Sequence, residues 1–383
     1  MERQRVVVIG GGPAGLATAG ALTMRGIPVT VLERADVGHS WRGHYDRLHL
    51  HTTRRLSGLP GLPIPRSYGR WVARGDLVRY LESYRAHHRL DVRTGVDVIG
   101  LERNSTAGSP RWVVRSAAGE VWAADHVIVA TGFNHTPARP HWPGEEGFRR
   151  EIRHTSDYRN PGPFAGRSVL VVGTGNTGCE IAQDLAEGGA GQVWLAYRTP
   201  PHILRRDTAG WASQWTGVAV RRLPVRLVDR VAAVVEKVSI PDLTAYGMPR
   251  PAADLYSRIA VGSIPVQDVG IVAAIQRRAV VPVPTPERFE GDDVVLRDGR
   301  RLRPDVVLVA AGYERGLEPL LGELGVLRPD GRPNVSGATS PTGAPGLWFN
   351  GYTNPISGML REIRLDALAI AAEITAAIAS QPS

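Results

Sequence analysis

Four short, predominantly apolar runs set the hydrophobic pattern of the chain, and each closes on glycine or a small-residue turn. Val6 to Ile9 runs into Gly10, and Asp125 to Ala130 (DHVIVA) into Thr131-Gly132. Ser168 to Val172 runs into Gly173, and Asp305 to Ala310 (DVVLVA) into Ala311-Gly312-Tyr313. Apolar runs this short, without polar alternation, predict strands buried on both faces, as in a parallel sheet covered by helices. Further strands are predicted at Pro28–Leu32, Asp91–Val98, Trp112–Ser116, Val121–Trp122, Gln192–Tyr197, Val280–Val283, Val294–Leu296 and Gly346–Gly351. Leu77, Val78, Tyr80, Leu81 and Tyr84 recur at helical spacing behind Asp76, the expected N-cap. Trp211 to Ser239 reads as a helical region, to lie over the mouth of a site or against a second copy. A turn over Asn354–Gly358 and a helix over Leu360–Ala377 close the chain.

The turns carry the chemistry. After the first run come Gly10-x-Gly12-x-x-Gly15 and an Ala/Leu-rich helix, with Pro13 and Ala14 inside the turn. The first glycine permits a tight turn, the second leaves room for a pyrophosphate, and the third lets helix and strand pack closely. The helix N-terminus offers free N–H groups and its positive dipole end. About twenty residues on, Glu33 ends the next strand, where a carboxylate accepts from a ribose diol and disfavours a 2′-phosphate. Gly173-x-Gly175-x-x-Gly178, with Asn176 and Thr177 in the turn, repeats the pattern, but its next strand ends in Arg198-Thr199. A guanidinium there binds a 2′-phosphate bidentately. The pair predicts an α/β chain with two Rossmann-like dinucleotide-binding domains, FAD in the first and NADPH in the second. The last strand, turn and helix should return to the first domain. The expected division is residues 1–145 and 303–383 for FAD, and 146–302 for NADPH with a helical insert around 208–262.

Composition narrows the classes. A 383-residue chain that is 43% hydrophobic and 22% charged fits a two-domain globular protein. The net charge of +9 comes almost wholly from arginine, Lys237 being the only lysine, and no basic block occurs. Such scatter argues against nucleic-acid binding and for an electropositive cleft that takes an anionic cofactor or substrate. Cys179 is the only cysteine, which removes disulfide frameworks, thiolate zinc sites and a Cys-x-x-Cys redox pair within the chain. His44, His49 and His51 lie close together in a loop after the second strand, but no further ligand completes a metal set, and a cofactor-lining loop is expected instead. With no signal peptide or membrane span apparent, the expected location is cytoplasmic.

In its motif order the chain resembles the flavin-containing monooxygenases, and within them the YUCCA-type subgroup. The resemblance rests on the first fingerprint, ATG after a strand, Phe148-x-x-x-x-x-His154-x-x-x-Tyr158 and the second fingerprint. It extends through Tyr45-Asp46-Arg47-Leu48-x-Leu50-His51, Leu223-Pro224-Val225-Arg226-Leu227-Val228-Asp229-Arg230, Pro265-Val266-Gln267-Asp268-Val269-Gly270 and Gly312-Tyr313. It implies reduction of FAD by NADPH, a C4a-(hydro)peroxyflavin, and transfer of one oxygen atom from O2 to a small molecule. The implied reactions are N- or S-oxygenation, or oxidative decarboxylation of a 2-oxo acid. Phe148, His154 and Tyr158 would mark the linker that couples the domains.

The resemblance also sets the site expectations. Gly10, Gly12, Pro13, Ala14, Gly15, Glu33, Arg34, Ser40, Trp41, Val96, Ala130, Thr131, Gly132 and Gly358 are expected at FAD. Gly173, Gly175, Asn176, Thr177, Gly178, Arg198, Thr199, Ala311 and Gly312 complete the cofactor-binding set. His51, Arg47 and Asn354 are the candidate catalytic residues, and no metal site is expected. Three positions depart from family patterns. Arg150 stands where the linker has glycine. Tyr158 replaces the tryptophan of Baeyer–Villiger members, which tilts against that chemistry. His51 replaces an asparagine of animal-type members, and either contacts the flavin or makes a structural hydrogen bond. The competing readings are an NADPH-dependent flavin oxidoreductase that passes electrons to a quinone or partner protein, and a nucleotide-binding redox sensor. A homodimer is compatible with all of them.

Overall fold

The structure, a computed structural model, describes residues 2–104, 109–208, 210–212, 214–215, 218, 242–251, 264–353, 355 and 357–380. In chain order the principal elements are β1 (Glu2–Ile9), α1 (Pro13–Thr23), β2 (Thr30–Leu32), α2 (Arg74–His87), β3 (Asp91–Arg93), β4 (Val98–Arg103), β5 (Trp112–Ser116) and β6 (Val121–Val129). There follow β7 (Glu151–His154), β8 (Ser168–Val172), α3 (Asn176–Glu187), β9 (Gln192–Tyr197), β10 (Val281–Pro284), β11 (Pro286–Glu290), β12 (Asp293–Leu296), β13 (Arg301–Leu302) and β14 (Val306–Val309). The chain closes with β15 (Leu347–Phe349) and α4 (Met359–Ala379). They divide into two units. The first is residues 1–42, 52–136 and 313–383; the second is 43–51 and 137–312.

The first unit is built on a seven-stranded sheet in the order β3-β2-β1-β6-β5-β4, with β15 also on β6. Val6, Val7 and Val8 of β1 are fully buried, so each side chain contributes about 1.5–3 kcal/mol of transfer free energy. The expected strands at 121–122 and 125–130 are one strand, because the two residues between them, Ala123-Ala124, offer no turn residue. Its first half pairs antiparallel with β5, and its second half parallel with β15. Conversely, the expected strand 91–98 divides into β3 and β4 at Gly95, whose φ is +76°. Asp76 is not the cap of α2. The helix starts at Arg74 with Ala73 in the cap position, and Asp76 lies in the first turn, where its charge favours the dipole and pairs with Arg79. The apolar face of α2 is buried as the spacing predicts. The last strand and helix do belong to this unit, and Gly351 lies against Ala14 of α1.

The second unit carries a wholly parallel five-stranded sheet, β7-β14-β8-β9-β10, and an antiparallel one, β11-β12-β13. Here the expected boundaries move. Residues 303–312 fall in this unit because β14 sits between β7 and β8 in its sheet, and 137–145 fall there too. Residues 43–51 leave the first unit and pack with the second. The helical region Trp211–Ser239 lies almost wholly outside the described residues, as does most of the insert 208–262. What is described there includes a ladder pairing 207–208 with 211–212 and a single turn over Thr244–Tyr246.

His126 on β6 is 1% exposed, and burial pushes its imidazole down to about 4. Its Nδ1 accepts from Trp348 Nε1 at 3.4 Å. The unfolded chain takes up a proton below about 6.5 while the folded chain does not, so stability is full above 6.5 and falls as pH drops toward 4. The loss reaches roughly 3 kcal/mol. His126→Gln should lack this part of the pH dependence in urea unfolding, and parallel pH curves for the two proteins would contradict the assignment.

Candidate functional site

Each unit holds one glycine turn, and the two are built alike. Gly10 has φ +110°, and a Cβ there would lie 2.6 Å from the Ala130 carbonyl oxygen. Gly173 has φ +120°, and its Cβ would lie 2.4 Å from that of Ala310. A Cβ on Gly15 would sit 1.8 Å from the Gly10 oxygen, and one on Gly178 2.0 Å from the Gly173 oxygen. The resemblance between DHVIVA and DVVLVA thus has a local cause: each strand supplies the carbonyl over which the first glycine turns.

Gly12 and Gly175 are different. Their φ values, −83° and −78°, suit any residue, and a Cβ on either meets nothing within 4 Å. The fold makes no demand for glycine there. Open space at the N-terminus of a helix with no side-chain cap fits a phosphate group.

In the first unit Glu33 receives the Gly11 N–H, and the Ala35 N–H at 2.9 Å, on separate carboxylate oxygens. The carboxylate is thereby fixed beside the glycine turn, and each oxygen keeps capacity for a ribose hydroxyl. Val96 is buried and donates its N–H to the Glu33 carbonyl. Gly38 N–H bonds the Gly11 carbonyl, holding the short helix of Ser40 and the half-buried Trp41 on the turn; Arg34 is exposed. Thr131 Oγ1 lies 2.8 Å from the hydroxyl of Tyr352, a buried residue that no motif marked. Gly132 has φ +72° with open space about it, and Gly358 caps α4. Asn354 lies outside the described residues.

In the second unit a cleft of about 620 Å³ runs along the glycine turn. Gly173, Thr174, Gly175, Arg198, Thr199 and Ala311 line it, together with residues the motifs did not mark: Trp142, His202, Glu287 and Arg297. Asn176 faces a structural duty instead. Its Oδ1 accepts from Gln267 N–H at 2.7 Å and its Nδ2 donates to the Pro265 carbonyl at 3.3 Å. Thr177 is half-buried in the same turn, and Gly178 is buried.

One face of α3 is acidic and covered. Glu180 accepts from the Tyr45 hydroxyl at 3.0 Å, and its Oε1 lies 2.8 Å from His51 Nε2. Asp184 accepts from the Tyr158 hydroxyl at 2.8 Å and from Arg47 at 3.4 Å, and Arg47 also pairs with Glu187. His51 and Arg47 therefore dock residues 43–51 on the helix of the second fingerprint. His49 is exposed and bonded to the Arg47 carbonyl. Among the described residues no three His, Cys, Asp or Glu side chains are placed to hold a metal. Burial pushes the Cys179 thiol up and leaves it unreactive.

The linker residues have separate duties. Phe148 packs edge-on against Phe289 at 4.9 Å. His154 Nδ1 accepts from Ser156 N–H, so Nε2 carries the proton and donates to the Gly312 carbonyl at 3.0 Å. Burial holds His154 below the usual imidazole value. Arg150 has no left-handed backbone, so this position does not need glycine, and its guanidinium pairs with Asp305 at 2.5 Å. Tyr158 is 1% exposed, and burial and Asp184 push its phenol up. Tyr158→Phe leaves a buried carboxylate short of a donor. It should cost about 1–2 kcal/mol, read as a fall of roughly 2–6 °C in Tm; an unchanged Tm would show that the bond carries no stability.

Comparison with known proteins shows the family. Residues 7–240 match the family model described as pyridine nucleotide-disulphide oxidoreductase. The indole-3-pyruvate monooxygenase YUCCA1 of Oryza sativa subsp. japonica is 35% identical over 373 residues, covering 96% of this chain and 90% of that protein. The flavin-containing monooxygenase from Stenotrophomonas maltophilia superposes with a TM-score of 0.73 at 26% identity, over 99% of this chain and 100% of that one. Cyclohexanone monooxygenase in its open form gives 0.75 at 18% identity, over 99% and 89%, which shows the shared fold. The chain belongs to the flavin-containing monooxygenases, in their YUCCA-type branch, and is a flavin-dependent monooxygenase that uses FAD and NADPH.

Proposed function

We propose that the first unit holds FAD, the second holds NADPH, and that the enzyme oxygenates an aromatic 2-oxo acid with loss of CO2. The likeness to indole-3-pyruvate monooxygenases over 96% of the chain carries this reading. FAD, once reduced by NADPH, supplies the electrons and the O2 chemistry. The balance is R–CO–COO⁻ + O2 + NADPH + H⁺ giving R–COO⁻ + CO2 + NADP⁺ + H2O. One oxygen atom enters the acid, the C–C bond to the carboxylate breaks, and the other atom leaves as water.

The chain's own task is to bind, orient and exclude water. The N-termini of α1 and α3 receive the diphosphates, with Gly12 and Gly175 leaving space for them. Glu33 takes the unphosphorylated ribose, and Arg198 with Thr199 the phosphorylated one. Ala130, Thr131 and Gly132 approach FAD through backbone, and Ala311 approaches NADPH. Glu180 holds His51 by its Nε2 edge, and the buried Nδ1 edge has no hydrogen-bond partner among the described residues. Arg47 is taken up by Asp184 and Glu187, so its part is to hold the His51 segment in place.

Indole-3-pyruvate is the probe. Under ¹⁸O2 with NADPH, the product acid should carry one labelled oxygen, with one CO2 released per NADPH consumed. NADPH oxidation that yields only hydrogen peroxide, with no label in the acid and no CO2 released, would overturn the assignment of an aromatic 2-oxo acid as substrate.

A further inference from the structure

The cleft of the second unit holds two arginines, and sequence spacing accounts for only one. Arg198 follows β9, where a 2′-phosphate ligand is expected. Arg297 comes from a different element, the turn that joins β12 to β13. That turn is well fixed. Arg297 N–H bonds the Thr285 carbonyl at 3.1 Å, and Leu296 N–H bonds the Arg300 carbonyl at 2.8 Å. Both residues line the same cleft as Gly173 and Gly175.

The charge balance around them is informative. Many of the described arginines of this unit are paired, among them Arg149 with Asp292, Arg150 with Asp305, Arg300 with Asp298 and Arg303 with Asp293. Among the described residues neither Arg198 nor Arg297 has an ion pair. Their nearby carboxylates are already engaged. Asp298 is held by Arg300 at 2.8 Å, and Glu287, which also lines the cleft, by Arg288 at 3.1 Å. Two exposed guanidinium groups from separate elements, left without counter-ions in one cleft, form a receptor for a dianion.

We propose that Arg297 is the second half of a clamp on the 2′-phosphate of NADPH, so that the β12–β13 turn as well as β9 sets the preference for NADPH over NADH. This rests on the reading that NADPH occupies this cleft. Each guanidinium offers a fork of donors to one side of the phosphate. The hairpin gives the second fork a position that does not depend on β9. Glu287 faces Arg288, which it shares with Glu290.

The test uses the full-length FAD-loaded protein and two probes that differ only in the phosphate, 2′,5′-ADP and 5′-AMP, with Kd measured by calorimetry at fixed ionic strength. The wild-type chain should prefer 2′,5′-ADP. Arg297→Ala should weaken 2′,5′-ADP about tenfold while leaving 5′-AMP nearly unchanged. Arg198→Ala should do the same, and the double variant should bind the two probes alike. An Arg297→Ala protein with the wild-type preference would overturn the clamp, leaving the cleft to Arg198 alone. A wild-type chain that does not prefer 2′,5′-ADP would overturn the NADPH reading of the cleft itself. Arg297 is exposed on a turn, so its loss should leave folding intact, and an unchanged Tm confirms that the binding change is local.

Discussion

Both units depend on one steric constraint: a helix must start almost in contact with the strand before it and with the carbonyl of the strand beside it. A Cβ at Gly10 or Gly173 would strike the Ala130 or Ala310 oxygen, and one at Gly15 or Gly178 would strike the carbonyl of the first glycine. No rotamer relieves such a clash, because both partners are backbone. The arrangement brings the helix N-terminus to the end of the parallel strands, where its free N–H groups meet a phosphate. The sheets, with Val6 to Val8 and Val169 to Val171 fully buried, hold that geometry.

On this common frame the charges differ. Beside the first turn stands a carboxylate fixed by two backbone N–H groups. Along the second stand two guanidinium groups without counter-ions among the described residues. The difference suits one dinucleotide without a 2′-phosphate and one with it. A second layer of charge acts on the chain itself. Glu180 and Asp184 are buried, and each is answered by a tyrosine hydroxyl and a basic side chain, which fixes residues 43–51 on α3. Leaving either carboxylate unanswered costs far more than the pairing gains.

The fold was legible where the pattern was local. Apolar runs closed by glycine gave the parallel strands, and the fingerprints gave the helices after them. Strand limits failed where one strand served two partners in turn, as β6 does, or where a left-handed glycine divided an apolar stretch, as at Gly95. The domain limits failed at 303–312, because which sheet receives DVVLVA depends on long-range pairing. The glycine turns, the place of Glu33 beside the first and that of Arg198 along the second were readable from spacing. Arg297, His202, Tyr352 and Glu180 were not, since each reaches its place through tertiary packing. Glu180 had one local signal, a carboxylate at helical spacing from Asp184, but nothing in the sequence named His51 and Tyr45 as its partners. Arg150 stood out as a departure from a family glycine, and its ordinary backbone removes the difficulty.

The central claim is that two alike cradles hold different dinucleotides independently. Gly12 and Gly175 test it most directly, because a Cβ at either disturbs nothing in the protein. Native mass spectrometry of the wild-type chain with NADP⁺ should give one FAD and one NADP⁺ per chain. Gly12→Ala should lose FAD and keep NADP⁺ binding, Gly175→Ala should keep FAD and lose NADP⁺, and both should retain the wild-type circular dichroism. Variants that keep both ligands, or that lose them in the opposite pattern, would contradict the account.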